Sequence, residues 1–350
     1  MRKHFHNVFC LSEAKGMDTN MIITRTPFRV SFAGGGSDLP SFYRKHEGCV
    51  LSTSINKYMY VSIHPTFGRQ VTRIKYSKTE SVDDIRNLTH PIARQLLLDY
   101  GLSGVEIDST ADIPSGTGLS TSSAYTVGLI HAILAFMGKY ASQEKIAARA
   151  CRLEIEELGE PVGKQDQFGT AIGGLKFIRF LPDDTVEVEP IILSKKTKRM
   201  LDDNLLLFYT GLTHSAGAVL QEQNKNMKSS KEKIQNMIRM TELAKDMRES
   251  LTEGNLQDFG RILNENWILK RNIAGSISNS VVDKYYEIAM NAGALGGKLL
   301  GAGGGGFLLF YCEQDQQLRL RSALSDLIEL PFGMETGGTK VIYVGDKDWD

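Results

Sequence analysis

The stretch Pro114-Ser115-Gly116-Thr117-Gly118-Leu119-Ser120-Thr121-Ser122-Ser123-Ala124 constrains this chain more than any other. A strand over residues 105–113 is expected to run into it, and a helix over 120–137 to leave it. The glycines let the backbone come close to a ligand and take positive φ angles. Four consecutive hydroxyl residues then occupy the first helical turn. Free N–H groups and the positive end of the helix dipole favour an anion there, above all a phosphate. A hydroxyl at that place can also bind magnesium. The same residues are good helix caps, so the stretch alone fits a capped loop as well as a phosphate site.

The remaining composition narrows the partners. At 350 residues there is room for two domains. Lys plus Arg, 41, balances Asp plus Glu, 41, so no global field favours a nucleic acid or an anionic membrane. A small phosphorylated ligand needs only local charge. Cys10, Cys49, Cys151 and Cys312 form no CxxC pair; they suit a reducing cytosol, and a cytoplasmic protein is expected. No apolar run reaches the ~18 residues of a membrane span. Residues 1–20 carry His4, His6, Glu13, Lys15 and Asp18 and lack an apolar core, so they read as a flexible leader and not as a signal peptide.

Residues 21–33 alternate and contain Ile22, Ile23, Val30 and Phe32, which reads as a strand broken at Pro27. Gly34-Gly35-Gly36-Ser37-Asp38 ends it. This is no dinucleotide fingerprint, because Leu39 spoils the spacing and no βαβ unit follows. Strands are expected at 50–65 and 70–76, and a helix at 91–100 closed by Gly101. Early strands followed by helices indicate an α+β domain. A helix at 142–158, a loop at 159–167 and a strand at 175–181 follow. The polar stretch 182–198 is the natural boundary, giving domains 21–195 and 196–350. The second half reads as a strand at 205–210, helices at 218–253, 256–273 and 280–292, a strand from Phe307 and a last strand at 340–344.

The run Gly301-Ala302-Gly303-Gly304-Gly305-Gly306 is not a Walker A loop, since no Gly-Lys-Ser/Thr follows. Five glycines in six positions exceed the need of a turn and point to a ligand-facing or loop-packing role. Asp166 lies in the 159–167 loop, where an Asp is ordinarily a turn former. Lys164, two residues away, can hold its carboxylate ionised. Glu154, twelve residues earlier, offers a second carboxylate for a metal. Arg29 is a cation beside a glycine turn; its ordinary fate is a surface salt bridge.

Three runs, in order, resemble the three motifs of the GHMP small-molecule kinases, the superfamily of galactokinase, homoserine kinase, mevalonate kinase and phosphomevalonate kinase. They are Thr26-Pro27-Phe28-Arg29-Val30-Ser31-Phe32-Ala33-Gly34-Gly35-Gly36-Ser37-Asp38, the Pro114 stretch, and residues 298–307. Phe-Ala-Gly-Gly-Gly-Ser-Asp-Leu and Gly-Lys-Gln-Asp-Gln are most similar to the D-glycero-D-manno-heptose 7-phosphate kinase branch, whose members phosphorylate the anomeric carbon on the way to nucleotide-activated heptose. Galactokinase-like members carry Gly-Glu-His-x-Asp where Gly35-Gly36-Ser37-Asp38 stands here.

The resemblance implies a two-domain fold. The N-terminal ATP-binding domain would be like ribosomal protein S5 domain 2 and the C-terminal domain ferredoxin-like, with the site between them. Pro114, Ser115, Gly116, Thr117, Gly118, Leu119, Ser120, Thr121, Ser122 and Ser123 would wrap the ATP phosphates, with Gly303 and Gly304 alongside. Ser122 and Glu154 would hold Mg2+. Asp166 would be catalytic, faced by Arg29. The sugar would meet Gly34, Gly36, Ser37 and Asp38. Lys164, Lys270 and Arg271 are candidates for a substrate phosphate. The implied partners are ATP and a small sugar or sugar phosphate, with a monomer or homodimer as the assembly. Two alternatives stay open: a kinase for an unphosphorylated sugar such as fucose or galactose, and a non-catalytic sugar sensor. Intact Ser122, Glu154, Asp166 and Arg29 argue against the sensor.

Overall fold

The protein is described by a computed structural model covering residues 21–213 and 216–345. The leader expected at 1–20 lies outside the described residues. The first half runs β1 (Ile22–Ala33), α1 (Pro40–Tyr43), β2 (Gly48–Pro65), β3 (Thr72–Lys75), β4 (Thr79–Val82), α2 (Pro91–Tyr100), β5 (Val105–Ala111), α3 (Thr121–Phe136), α4 (Gln143–Cys151), α5 (Gln165–Ala171), β6 (Leu175–Phe180) and β7 (Val186–Pro190). The second runs α6 (Lys195–Asn204), β8 (Leu205–Tyr209), α7 (Ala216–Ser229), α8 (Lys231–Glu253), α9 (Leu256–Arg271), α10 (Ser280–Asn291), β9 (Gly296–Leu299), β10 (Phe307–Tyr311), α11 (Gln317–Ala323), β11 (Ile328–Glu329), β12 (Met334–Glu335) and β13 (Lys340–Val344).

Two sheets result. The larger follows the order β13-β1-β2-β5-β3-β4, with β6, β7 and β12 branching from it. Its axis is β2, which pairs with β6 through Gly48–Thr53 and with β5 through Met59–Pro65. The smaller sheet is β11-β8-β10-β9. The last two strands of the chain therefore pair within the first sheet: β13 lies on β1 and β12 on β2.

Pro27 does not break β1, contrary to the expectation. The pairing with β2 slips between Pro27 and Phe28, and the bulge accommodates a residue with no N–H to give to the ladder. Helix α3 is apolar on nearly all sides because it packs on β1 and β2; Val127, Leu129, Ile130 and Ile133 are fully buried. Each such side chain contributes about 1.5–3 kcal/mol by burial. Helix α9 touches both sheets, through β1 and β9, α8 packs on α9 and on β1 and β2, and Phe32 meets Phe259 edge to face at 5.2 Å. Their contact brings the turn after β1 against the second half of the chain. No helix among the described residues is long and apolar enough to cross a membrane.

Candidate active site

The turn that ends β1 is held from three directions. Gly34 has φ +82°, and a Cβ there would lie 1.9 Å from the Cys49 carbonyl oxygen, so the position admits only glycine. The Ser37 hydroxyl donates to Cys49 O and accepts from Cys49 N, each at 3.0 Å. It is brought to the turn but committed to β2. Asp38 accepts from Gly36 N and, through its other oxygen, from Gln165 N, both at 3.1 Å. From the second half, helix α9 supplies two side chains one turn apart. Asn266 accepts from Gly34 N at 3.1 Å, and Lys270 donates to Gly35 O at 2.9 Å.

These groups are buried, and the burial shows in their acidity. It pushes the Asp38 carboxyl up, and the Asp166 carboxylate adds to that. It pushes the Lys270 ammonium down to about 8, opposed by the attraction of Asp38. Lys298 donates to Phe32 O at 3.1 Å and is driven well below the ordinary lysine range, first by burial and then by Lys270 and Arg29.

The Pro114 stretch forms a loop with Gly116 and Gly118 at positive φ. Ser120 also sits at φ 64°, a region that strains a residue with a side chain by about 1–3 kcal/mol. Its hydroxyl is buried without a partner and does not cap α3. The second glycine run packs directly on this loop. A Cβ on Gly118 would lie 2.4 Å from Leu300 O, and one on Gly306 would lie 2.3 Å from Thr117 O. Phe307 N donates to Thr117 O at 3.2 Å. Gly303 lies against Ile277, and Gly304 N donates to Ile277 O at 2.9 Å.

Asp166 lies not in a loop but in the first turn of α5. One of its oxygens accepts from both Arg29 Nε, at 3.0 Å, and a terminal guanidinium nitrogen, at 2.7 Å. The other terminal nitrogen donates to Gly118 O at 2.9 Å. Arg29 is only 2% exposed, so this is no surface pair. It joins the carboxylate to the glycine-rich loop. Lys164, expected to supply the cation, turns away: it donates to Asp184 O at 2.7 Å and lies 4.7 Å from the Tyr43 ring centre. Arg271 is drawn to Asp283.

Glu154 lies in a single π-helical turn that continues α4, a distortion common at functional sites. One oxygen accepts from Ser123 Oγ at 3.0 Å and from Gln167 Nε2. The other is buried with no partner, and burial raises the carboxyl's pKa. An orphaned carboxylate oxygen of this kind suits a cation. Ser122 is exposed at the start of α3, while Ser123 is buried against Glu154. The only grouping of three potential metal ligands among the described residues, His64, Glu106 and Asp108, lies elsewhere, on β2 and β5. Its carboxylates are already paired with Arg73 and Lys75.

Comparison with known proteins decides the family. The GHMP kinases N terminal domain matches residues 87–174, and the GHMP kinases C terminal domain matches residues 247–329. The chain is a GHMP kinase. Its reaction is thus phosphoryl transfer from ATP to an alcohol.

This GHMP kinase is 28% identical over 318 residues to the D-glycero-alpha-D-manno-heptose 7-phosphate kinase of Campylobacter jejuni, covering 87% of this chain and 93% of that one. It is 25% identical to the galactokinase of Pyrococcus furiosus, covering 87% and 92%. Among solved structures, a D-glycero-D-manno-heptose 1-phosphate kinase from Bacteroides thetaiotaomicron superposes with a TM-score of 0.77 at 24% identity, covering 93% of this chain and all of that one. Lactococcus lactis galactokinase, complexed with galactose, gives 0.71 at 17% identity, covering 91% and 95%. These superpositions establish the two-domain GHMP fold. Gln165, Gln223, Asn266 and Lys298 also line this region; Gln165 falls in the Gly-Lys-Gln-Asp-Gln run and Lys298 in the third motif, whereas Gln223 and Asn266 carry no sequence signal.

Proposed function

We propose that this GHMP kinase phosphorylates a sugar, D-glycero-D-manno-heptose 7-phosphate, at its anomeric hydroxyl to give the 1,7-bisphosphate. The observation that carries the placement of the chemistry is the Arg29 bridge. It joins Asp166 to the glycine-rich loop, while Asp38 joins the start of the Asp166 helix to the Gly34–Asp38 turn. ATP phosphates on the loop and a sugar on the turn would then meet at Asp166. The choice of heptose rests on the runs Phe-Ala-Gly-Gly-Gly-Ser-Asp-Leu and Gly-Lys-Gln-Asp-Gln and on the C. jejuni relative.

In this reading the loop from Pro114 to Ser123 and the start of α3 hold the phosphates. Asp166 accepts the proton of the sugar hydroxyl as its oxygen attacks the γ-phosphorus and the bond to ADP breaks. Arg29 fixes the carboxylate and places positive charge beside the transferring group. Asp38 and the backbone of Gly34 and Gly36 position the sugar. Glu154 and Ser122 would hold Mg2+, which neutralises phosphate charge when bound.

One observation favours a second acceptor. Two of the three cations considered for a substrate phosphate, Lys164 and Arg271, are engaged by Asp184 and Asp283, and the third, Lys270, is buried beside Asp38 and Asp166. An unphosphorylated sugar such as fucose or galactose needs no such cation. ADP release measured with heptose 7-phosphate, fucose, galactose and mannose separates the two. Heptose 7-phosphate is expected to lead in kcat/KM by at least tenfold; the reverse ranking rejects the heptose reading and leaves the kinase.

A further inference from the structure

The wall of the turn that faces the second half of the chain contains a buried acceptor with nothing to accept. Gln223, on α7, is fully buried. Its Nε2 donates to Ala302 O at 3.2 Å, which fixes which end of the amide is oxygen. The oxygen has no partner. A Cβ on Gly36 would lie 3.2 Å from that oxygen and 3.5 Å from Lys270 Nζ. A Cβ on Gly35 would lie 3.7 Å from Lys270 Nζ and 3.7 Å from Gln165 Oε1, a second buried oxygen without a partner. The space that side chains would fill at Gly35 and Gly36 is thus bordered by two unpaired acceptors and one ammonium.

A buried acceptor left unpaired costs about 1–3 kcal/mol, so native chains rarely keep one without a use. The chemistry of the lining selects the use. A phosphate offers only acceptor oxygens at neutral pH and cannot satisfy amide oxygens. A polyol can, because each hydroxyl donates once and accepts as well. Neighbouring hydroxyls of one sugar can donate to Gln223 and accept from Lys270.

The lining is also held in place before any ligand arrives. Asn224, the next residue on α7, accepts from Ser41 Oγ at 2.7 Å, and Asn226 donates to Ile273 O at 2.9 Å. Glu222 accepts from Gly275 N at 2.9 Å and from Ser276 Oγ. Helix α7 is therefore pinned to α1 on one side and to the segment that follows α9 on the other. Met237 Cε, 3.0 Å from the same Gly36 Cβ position, closes the space with an apolar wall.

We infer that Gln223 is a specificity-determining residue that accepts a hydrogen bond from a hydroxyl of the acceptor sugar, with Lys270 donating to a neighbouring hydroxyl. This rests on the reading above, in which the acceptor lies at the Gly34–Asp38 turn. It adds a contact contributed by the second half of the chain.

The test is steady-state kinetics of Gln223→Leu and the nearly isosteric Gln223→Met, using whichever sugar of the panel the unaltered enzyme turns over fastest. Failure of heptose 7-phosphate as substrate therefore leaves this test intact. At least one variant should raise the KM for sugar tenfold or more while the KM for ATP stays within twofold. Single-deoxy analogues of that sugar supply the second readout. At one ring position, loss of the hydroxyl should harm the unaltered enzyme about as much as Gln223→Leu harms the parent sugar, and should harm Gln223→Met little further. A sugar KM unchanged within twofold overturns the proposal. So does a parallel rise in both KM values, or a deoxy series that penalises enzyme and variant alike. Should Gln223→Leu fail to fold, Gln223→Met and the deoxy series decide.

Discussion

The two sides of this site are built by different means. The phosphate side is backbone against backbone: the Pro114 loop and the glycine run before β10 interlock so closely that a methyl group on Gly118 or Gly306 would strike a carbonyl oxygen. The acceptor side is backbone against side chains. Gly34 is held by Asn266, Gly35 by Lys270, and Gly36 by Asp38, with Gln223 nearby. A backbone-built surface tolerates almost no substitution, and it leaves a dense local signature. Side chains such as Asn266 and Lys270, more than two hundred residues away in sequence, leave none, yet theirs is the surface that can be altered to change an acceptor without disturbing ATP.

The largest expected effect falls where the two sides meet. Asp166→Asn keeps the shape of the side chain but removes its charge and its capacity to take a proton. Turnover should fall by about 10²–10⁴-fold, with the KM for ATP within threefold of the original. Retained kcat in an ADP-release assay would remove Asp166 from the chemistry and leave the two sides without a common residue.

Alanine substitutions then compare the sides directly. Gly118→Ala adds a Cβ at 2.4 Å from Leu300 O on a backbone at φ +83°. It should destabilise the fold by roughly 2–5 kcal/mol and weaken ATP binding in what remains folded. Gly35→Ala meets nothing closer than 3.7 Å. Its stability should change by no more than about 1 kcal/mol, while the sugar KM rises and the ATP KM does not. Urea unfolding and two-substrate kinetics measure both. Equal destabilisation by the two changes would erase the contrast between the sides.

The same contrast explains what was legible in the sequence. The strand-loop-helix around Gly116 and the helix closed by Gly101 follow from local rules, and Gly101 is at φ 63° at the end of α2. The sequence places Asp166 in a loop because its helix has no local cap: Lys164 makes no capping bond, and the first helical N–H is met by Asp38, 127 residues away. Pro27 reads locally as a strand breaker because the bulge that accommodates it depends on β2. Glu154 could be named from its spacing to Asp166 and from the family resemblance, but its π-helical turn could not, since nothing in Arg152–Glu157 departs from ordinary helical composition. Lys270 reads from the sequence only as a candidate for a substrate phosphate, and Asn266 has no local signal; both meet the turn after β1 only when α9 is laid against it. Lys164 looked like the partner of Asp166 by its nearness in sequence, whereas Arg29 is the partner in space.

The acceptor side should also show a pH dependence in the alkaline range. Lys270 loses its proton near pH 8 in the folded chain, whereas an exposed lysine keeps it to 10.5. Between those values the unfolded chain binds more protons, so stability rises with pH as the buried charge is released. Lys176, pushed down to about 7 by burial, acts in the same direction from a lower pH. If Lys270 must be charged to hold the sugar, kcat/KM for the sugar falls above about pH 8 over the same range in which the protein becomes more stable. Asp38 and Asp166 oppose the loss of the proton, while Arg29 and burial promote it. Lys270→Met should abolish that limb of the profile and remove one lysine's share of the stability rise between pH 8 and 10.5, leaving the shares of Lys176 and Lys298; a limb that persists in this variant belongs to another group.

The smallest effect is expected at Lys164, and it is informative because the residue lies within two positions of Asp166. Its ammonium is engaged by Asp184, a residue that also accepts from Tyr43 and Arg44 on the outer side of α1. A pair with one half-exposed partner contributes about 0–1 kcal/mol. Lys164→Ala should therefore lower stability by no more than about 1 kcal/mol and leave both KM values within twofold. If instead the KM for heptose 7-phosphate rises tenfold while that for an unphosphorylated sugar does not, the lysine leaves Asp184 to meet the substrate's phosphate. The acceptor side would then reach beyond the Gly34–Asp38 turn to the outer face of α1, and the heptose reading would gain the cation it now lacks.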